Sequence, residues 1–324
     1  MSASPPPRVS FVVPLYNTGN ALPSLIEAFR SLTIPGGFEL ILINDGSPDG
    51  TGNRVPPLLA SLPFPVTFVD LARNFGEHAA VMEGFRHCRG TSIINLDDDL
   101  QNPLREAVRL LEHLESSGAE VVYARYARKE HHPLRNLGSR FNDWAATLVL
   151  GKPPGLYLCS FRAHRHDLIQ RVLRYEGPYP YIDGLILGST DRIETLEVAH
   201  AARTDGQSGY TLRRLVRLWM NMFFNFSIMP LRVASILGLL LCACGAIGVL
   251  IVIAEWFSTS RTVPGWASLI TAISLFSGCQ LLMLGVIGEY LGRTYLTVSS
   301  KPQSLVRSIT SHQPENHSPP AVQT

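Results

Sequence analysis

Charge is scarce in this chain. Asp, Glu, Lys and Arg make up 17% of its 324 residues, and they nearly cancel, at a net +2. That balance excludes the global attraction to nucleic acid that a strongly basic chain carries. Cysteine is equally sparse: Cys88, Cys159, Cys242, Cys244 and Cys279 form no disulfide framework and are expected to be free thiols. No His/Cys spacing suggests zinc; His131-His132 stand before Pro133 in an expected loop, and His200 ends an expected strand. The opening MSASPPPRVS has no apolar h-region, so it does not read as a signal peptide. PLYNTGN stands where a dinucleotide oxidoreductase needs G-x-G-x-x-G, and Gly151-Lys152 is followed by Pro153 instead of the Ser or Thr of a P-loop. There is no internal repeat.

The missing charge is concentrated in two places. Val233 to Ala254 and Thr262 to Gly288 contain no Asp, Glu, Lys or Arg. A helix needs about 20 apolar residues to cross a bilayer. One such run could be a buried helix of a soluble core; two in succession predict two membrane spans. Arg213, Arg214, Arg217 and Arg232 precede the first, Arg293, Lys301 and Arg307 follow the second, and the connection carries only Glu255 and Arg261. Positive charge stays inside, which puts both termini in the cytoplasm and a short hairpin outside. Ahead of the first span, TLRRLVRLWMNMFFNFSIM groups Arg213, Arg214 and Arg217 on one helical face and Leu215, Leu218, Trp219, Met222 and Phe226 on others. That pattern predicts an interfacial helix, with an ordinary packing helix as the alternative.

From about residue 8 to residue 200 the pattern alternates strand and helix. RVSFVVP, FELILIN, VTFVDL, TSIINL and AEVVYAR read as strands; Leu22, Leu25, Ile26, Phe29 and Leu32 have helical spacing, as do EHAAVMEGFRHC and PLREAVRLLEHLESS, with Pro103 in its first turn. Strands spaced by helices imply an α/β fold with a doubly wound, mostly parallel sheet. Ligands of such sheets bind at the carboxyl ends of the strands.

The acidic clusters fall at those ends. Asn95-Leu96-Asp97-Asp98-Asp99-Leu100-Gln101-Asn102-Pro103 sets three carboxylates in a row, which repel one another unless a cation or donor compensates. A magnesium ion held by one or two carboxylates and substrate phosphates would do so, and would neutralise a diphosphate leaving group. An acidic first turn, favoured by the helix dipole, is the alternative. Pro14-Leu15-Tyr16-Asn17 ends the first strand, and Ile43-Asn44-Asp45-Gly46-Ser47-Pro48-Asp49 the second. An aromatic and a carboxylate there can stack on a base and accept its N–H; plain turn chemistry is the alternative.

PLYN, INDGSPD, LARNFGEHAA and NLDDDLQNP together resemble the family-2 glycosyltransferases of GT-A fold. HAARTDGQSGY, the basic helix, MPLR and the segment LGRTY extend the likeness to about residue 308, toward the bacterial polyprenyl-phosphate glycosyltransferases. The resemblance implies inverting transfer of a sugar from a nucleotide-sugar, with UDP favoured, to polyprenyl (undecaprenyl) phosphate at the cytoplasmic face of the inner membrane. It implies Mg2+ or Mn2+ as cofactor and allows a homo-oligomer, with a tetramer as one form. It divides the chain into a catalytic domain over 1–210, an interfacial helix over 211–230, two transmembrane helices over 231–295 and a disordered cytoplasmic tail over 296–324. By matching motif, Pro14, Tyr16, Asn17 and Asp45 hold the nucleotide; Asp97 lies near it, Asp99 is the metal ligand and Gln101 assists. Arg125, Arg128 and Arg135 stand at phosphate-binding positions, and Arg203, Ser208 and Tyr210 match an R-x-x-G-x-S-x-Y signature beside the acceptor.

The chain departs from the family in three places. The middle residue of D-x-D, usually small, is Asp98; the acid common after P-Y-N is replaced by Thr18; and Leu156-Tyr157-Leu158-Cys159-Ser160-Phe161-Arg162 lacks the Asp that relatives carry before a Phe-Arg or Leu-Arg pair. The last absence bears on the acceptor. A sugar hydroxyl must lose a proton, and a base contributes about 10²–10⁴-fold. A phosphate monoester, with a second pKa near 6, is already an anion at neutral pH. The missing Asp is therefore tolerable for a lipid phosphate and costly for a sugar acceptor. For each arginine the alternative is a solvated surface charge. A processive polysaccharide synthase is disfavoured because Gln170-Arg171-Val172-Leu173-Arg174-Tyr175 does not keep Q-x-x-R-W. A non-catalytic scaffold of the same fold is the remaining rival.

Overall fold

The computed structural model describes residues 6–126, 152–153, 155–199, 265–299 and 301–314, with positions 147, 231, 233–240, 243, 245, 247, 250 and 257. In chain order come β1 (Val9–Leu15), α1 (Leu22–Arg30), β2 (Phe38–Asn44), α2 (Thr51–Arg54), α3 (Pro56–Leu59), β3 (Val66–Leu71), α4 (Glu77–Arg86), β4 (Ser92–Asn95), α5 (Leu104–Ser117) and β5 (Val121–Tyr126). These are followed by β6 (Arg162–Arg165), α6 (His166–Val172), α7 (Ile182–Leu187), β7 (Ile193–Val198), α8 (Trp266–Val298) and β8 (Val306–His312).

The strands form one sheet in the order β7-β5-β6-β4-β1-β2-β3-β8. β4, β1, β2 and β3 pair in parallel, as do β5 and β7; β6 and β8 run against the rest. The sheet is thus mixed, with a parallel centre as expected and antiparallel pairings at β6 and β8. Every residue of β2 is buried, as a strand covered on both faces must be. Along β1 the pleat sends Phe11, Val13 and Leu15 to one core and Val12 to the other. The first core takes the apolar stripe of α1 (Leu22, Leu25, Ile26, Phe29) and that of α5 (Ala107, Leu110, Leu111, Leu114). The second takes α4, α6 and α7. In the first core Phe11 meets Phe29 edge-on at 5.2 Å between ring centroids, a favoured arrangement.

Contacts divide the chain into two compact units, Met1–Gly209 with Pro302–Thr324, and Tyr210–Lys301. The tail expected to be disordered contains β8, which pairs with β3 from Val66↔His312 to Leu71↔Val306. Its side chains are mostly exposed, so the strand is held by main-chain bonds to the open edge of β3 rather than by a buried face. The second expected span falls in α8, a helix of 33 residues with exposed Leu281, Leu284 and Leu291. Among the described residues no helix is long and apolar enough to cross a membrane, and part of the side chains of α8 fall outside them. The helix expected over 211–230 lies outside the described residues, as does part of the first expected span.

Because β8 is a paired strand, trypsin applied to the native protein should leave the Arg307–Ser308 bond intact for as long as the sheet survives, since cleavage requires an unpaired segment. Rapid cleavage there with the rest of the sheet left whole would return the tail to disorder.

Candidate active site

β4, β1 and β2 are adjacent and parallel, so their carboxyl ends lie side by side. β1 ends at Leu15 opposite Asn44, and the chain turns through Tyr16, Asn17 and Thr18. Asn17 adopts a left-handed φ of 59°, which a short amide side chain tolerates, and its N–H donates to Ser47 Oγ at 3.1 Å. Tyr16 is 48% exposed, which leaves its ring accessible for stacking.

Asp45 has a second role that the sequence did not show. It is buried, and both oxygens accept backbone N–H groups: Phe75 to Oδ1 at 2.7 Å and Gly76 to Oδ2 at 2.9 Å. Burial pushes this carboxyl above the usual range while the two donors oppose the shift. Asp45 thus ties the loop that starts α4 to the end of β2. Gly46, at φ 60°, is required by the same approach, because a Cβ there would lie 2.3 Å from the Arg73 carbonyl carbon. A carboxylate has about four lone-pair sites, so Asp45 retains capacity for a further donor.

The three carboxylates after β4 turn to three different partners. Ser160 Oγ donates to Asp97 Oδ2 at 2.7 Å. Asp98 Oδ2 accepts the Thr18 hydroxyl and, at 3.4 Å, the Tyr16 N–H. Asp99 Oδ1 accepts the Gln101 N–H at 3.1 Å, closing a local turn. Leu100 between them has φ 54°; a bulky residue there costs about 1–3 kcal/mol, strain that concentrates at functional sites. Burial raises the pKa of Asp98, the Thr18 and Tyr16 donors lower it, and the charges of Asp97 and Asp99 raise it again. Among the described residues no three or more His, Cys, Asp or Glu side chains form a ready metal cage. One or two carboxylates completed by phosphates suffice for magnesium, and this concentration of negative oxygen donors fits a hard divalent cation.

The two neighbouring departures from the family therefore belong together. The Thr18 hydroxyl donates to Asp98, so two of the departures touch, and this hydrogen bond joins the PLYN turn to the acidic loop.

Beneath the site lies a polar network that sequence reasoning missed. Pro14, His78, Asn95, Asp97, Ser160 and Arg162 line a cleft at the ends of β1 and β4. Arg162, fully buried on β6, pairs with Asp183 of α7, which also accepts the Tyr123 hydroxyl at 3.0 Å. Burial pushes His78 down to about 4, with the Asp183 charge opposing and the Arg162 charge adding, so this imidazole is neutral at pH 7. A central strand reading Arg-Ala-His-Arg carries no apolar signal; Ser160, just before the Phe161-Arg162 pair, was the available clue.

Arg125 lies on β5 as an exposed side chain paired with Glu197 of β7 at 3.2 Å, the setting of a surface charge. Arg128, Arg135, Arg203, Ser208 and Tyr210 lie outside the described residues.

The fold and the strand-end site define an α/β glycosyltransferase domain of GT-A type. The model of the family "Glycosyl transferase family 2" matches residues 10–175. The chain is 33% identical over 321 residues to the undecaprenyl-phosphate 4-deoxy-4-formamido-L-arabinose transferase of Serratia proteamaculans (strain 568), covering 96% of each chain. It is 31% identical over 306 residues to the protein of that name from Proteus mirabilis (strain HI4320), covering 93% of this chain and 94% of that one. Among solved structures, the glucosyl-3-phosphoglycerate synthase of M. tuberculosis superposes with a TM-score of 0.50 at 17% identity, over 67% of this chain and 78% of that one; at that identity the likeness concerns the fold alone. This chain belongs to glycosyl transferase family 2, and it is a glycosyltransferase.

The Thr18–Asp98 exchange can be tested by swapping the acid back. Thr18→Ser should keep metal-dependent turnover of the nucleotide-sugar near wild type, and Thr18→Val should lose about tenfold, the scale of one charge-assisted hydrogen bond. Thr18→Glu, which crowds a further carboxylate beside Asp98, should be worse, and adding Asp98→Ala should recover most of that loss. Steady-state rates decide; additive losses in the double variant would show that the two positions are not coupled.

Proposed function

We propose that the enzyme transfers a sugar, with inversion, from a nucleotide-sugar to polyprenyl phosphate at the cytoplasmic face of a membrane. The observation that carries this reading is the juxtaposition of the acidic loop Asp97–Asp99 with the PLYN turn, joined through Asp98 and Thr18. Tyr16 offers a ring to the base, and Asp45 a carboxylate to its N–H. Asp99 would hold a Mg2+ or Mn2+ ion that neutralises the leaving diphosphate, with Asp97 near the nucleotide and Gln101 assisting. A uridine donor is favoured by the resemblance of the motifs to those of the bacterial polyprenyl-phosphate glycosyltransferases.

Relatives of near full-length match act on undecaprenyl phosphate by name, and the chemistry of this site suits such an acceptor. An oxygen of the lipid phosphate attacks the anomeric carbon, the bond from that carbon to the nucleotide diphosphate breaks, and no proton has to be removed from the nucleophile. Ser160, directly before Phe161-Arg162, donates to Asp97 rather than acting as a base. Arginines offset repulsion between donor and acceptor phosphates, for which the guanidinium fork is suited; Arg128, Arg135 and Arg203, with Ser208 and Tyr210, are assigned to this task. The charge-free runs and their arginine-rich flanks support two membrane spans with both termini inside. A homo-oligomer, with a tetramer as its form, completes the reading.

Enzyme incubated with Mn2+, undecaprenyl phosphate and a panel of UDP- and GDP-sugars should yield one lipid-linked sugar by mass spectrometry. Arg203→Ala should cut that transfer roughly tenfold to a hundredfold, as loss of one charge-assisted contact of about 1.5–3 kcal/mol implies, with calorimetric affinity for the donor unchanged. Transfer onto a soluble acceptor with none to the lipid would overturn the assignment.

A further inference from the structure

A continuous run of hydrogen bonds leads from the C-terminal strand to the turn after β1. Arg307 on β8 donates from Nη1 to Asp70 Oδ2 at 3.0 Å and from Nη2 to the Ala72 carbonyl at 2.8 Å. The other oxygen of Asp70, at the end of β3, accepts Asn44 Nδ2 at 2.6 Å. Asn44 Oδ1 accepts the Ser47 hydroxyl at 2.6 Å, and Ser47 Oγ accepts the Asn17 N–H at 3.1 Å.

Each link fixes the direction of the next. The guanidinium is a donor only and the carboxylate an acceptor only, so Asn44 must present its NH₂ to Asp70 and its oxygen to Ser47. The Ser47 proton is then committed to Asn44, which leaves a lone pair for the Asn17 N–H. Asp70 and Asn44 are buried, where hydrogen bonds strengthen one another and a broken link is costly. The surroundings admit no slack: a Cβ on Gly52 would lie 2.9 Å from Asn44 Nδ2 and 3.2 Å from Asp70 Oδ1. The strand is also anchored separately, by Ser304 Oγ to Glu83 Oε2 at 2.7 Å and by Gln303 Nε2 to the Tyr175 carbonyl at 2.8 Å.

We propose that Arg307 and Asp70 are positioning residues for the donor site: the strand that follows α8 sets, through Asn44 and Ser47, the conformation of the Tyr16–Asn17 turn. The proposal rests on the reading that this turn receives the nucleotide. It gives the C-terminal segment a part in donor binding although it lies outside the residues matched by the family model, 10–175.

Hydrogen exchange of the full-length enzyme without ligand tests the relay independently of that reading. In Arg307→Ala the Asn17 amide should exchange about tenfold faster than in wild type, and Arg307→Lys should restore part of the protection. Ser304→Ala, which loosens the same segment without touching the relay, should leave Asn17 unchanged. Faster exchange confined to β8 and β3, or an equal effect from Ser304→Ala, would reduce Arg307 to an anchor of the edge strand and overturn the proposal. In parallel, the dissociation constant of UDP with Mn2+ should rise three- to tenfold in Arg307→Ala with the thermal midpoint nearly unchanged. If Asn17 responds as expected but UDP affinity does not, the relay stands as structure, and the claim that it serves donor binding fails. If wild type itself binds no UDP, the uridine assignment falls while the exchange experiment still decides the relay.

Discussion

Three carboxylates in succession at the end of β4 set the electrostatic problem that the rest of the site answers. Side by side in a partly buried loop, the charges of Asp97 and Asp99 add to the burial that raises the proton affinity of Asp98, and three like charges need donors or a cation. The fold separates them: Asp97 receives Ser160, Asp98 turns to Thr18 and the Tyr16 N–H, and Asp99 caps its own turn at Gln101. The middle carboxylate is thereby withdrawn into structure. The outer two are the residues proposed to serve the donor and its ion, and Leu100 beside them is strained.

Holding that arrangement requires rigid neighbours, and these are polar as well as apolar. Asp45 fastens the loop ahead of α4, and Arg162 with Asp183 and Tyr123 forms a charged network under the cleft. A buried ion pair is a weak source of stability, because desolvation offsets much of its attraction, but removal of one partner leaves an uncompensated charge and is strongly destabilising. The pair is therefore better understood as fixing the position of β6 and α7 beneath Asp97 than as a store of folding energy.

Most of this was legible in sequence where one physical signal was clean. FELILIN and VTFVDL are β2 and β3 residue for residue, because short apolar runs bounded by turn residues have few other uses. The stripes of α1 and α5 were equally plain. β6 and β8 were not, and for different reasons. β6 buries Arg162 and His164, so its pattern carries no hydrophobic alternation, and its partner Asp183 is distant in sequence. β8 buries little and exists because β3 has an open edge, a property of the assembled sheet and not of the segment. At the candidate site, the acidic loop, Tyr16 and Asn17 stand at the strand ends where the sequence pattern put them. The coupling of Thr18 to Asp98 joins residues that only the fold brings together, and the two departures carried no sign of being one feature.

The central claim is that Asp99 holds a divalent ion together with the phosphates of the donor. Electron paramagnetic resonance of Mn2+ titrated into the enzyme, with and without UDP, tests it most directly. The free-ion signal should fall on binding, more so with UDP present, and Asp99→Ala should leave the signal at its free-ion value in both cases. An Asp99→Ala enzyme that sequesters Mn2+ and UDP as tightly as wild type would contradict the account.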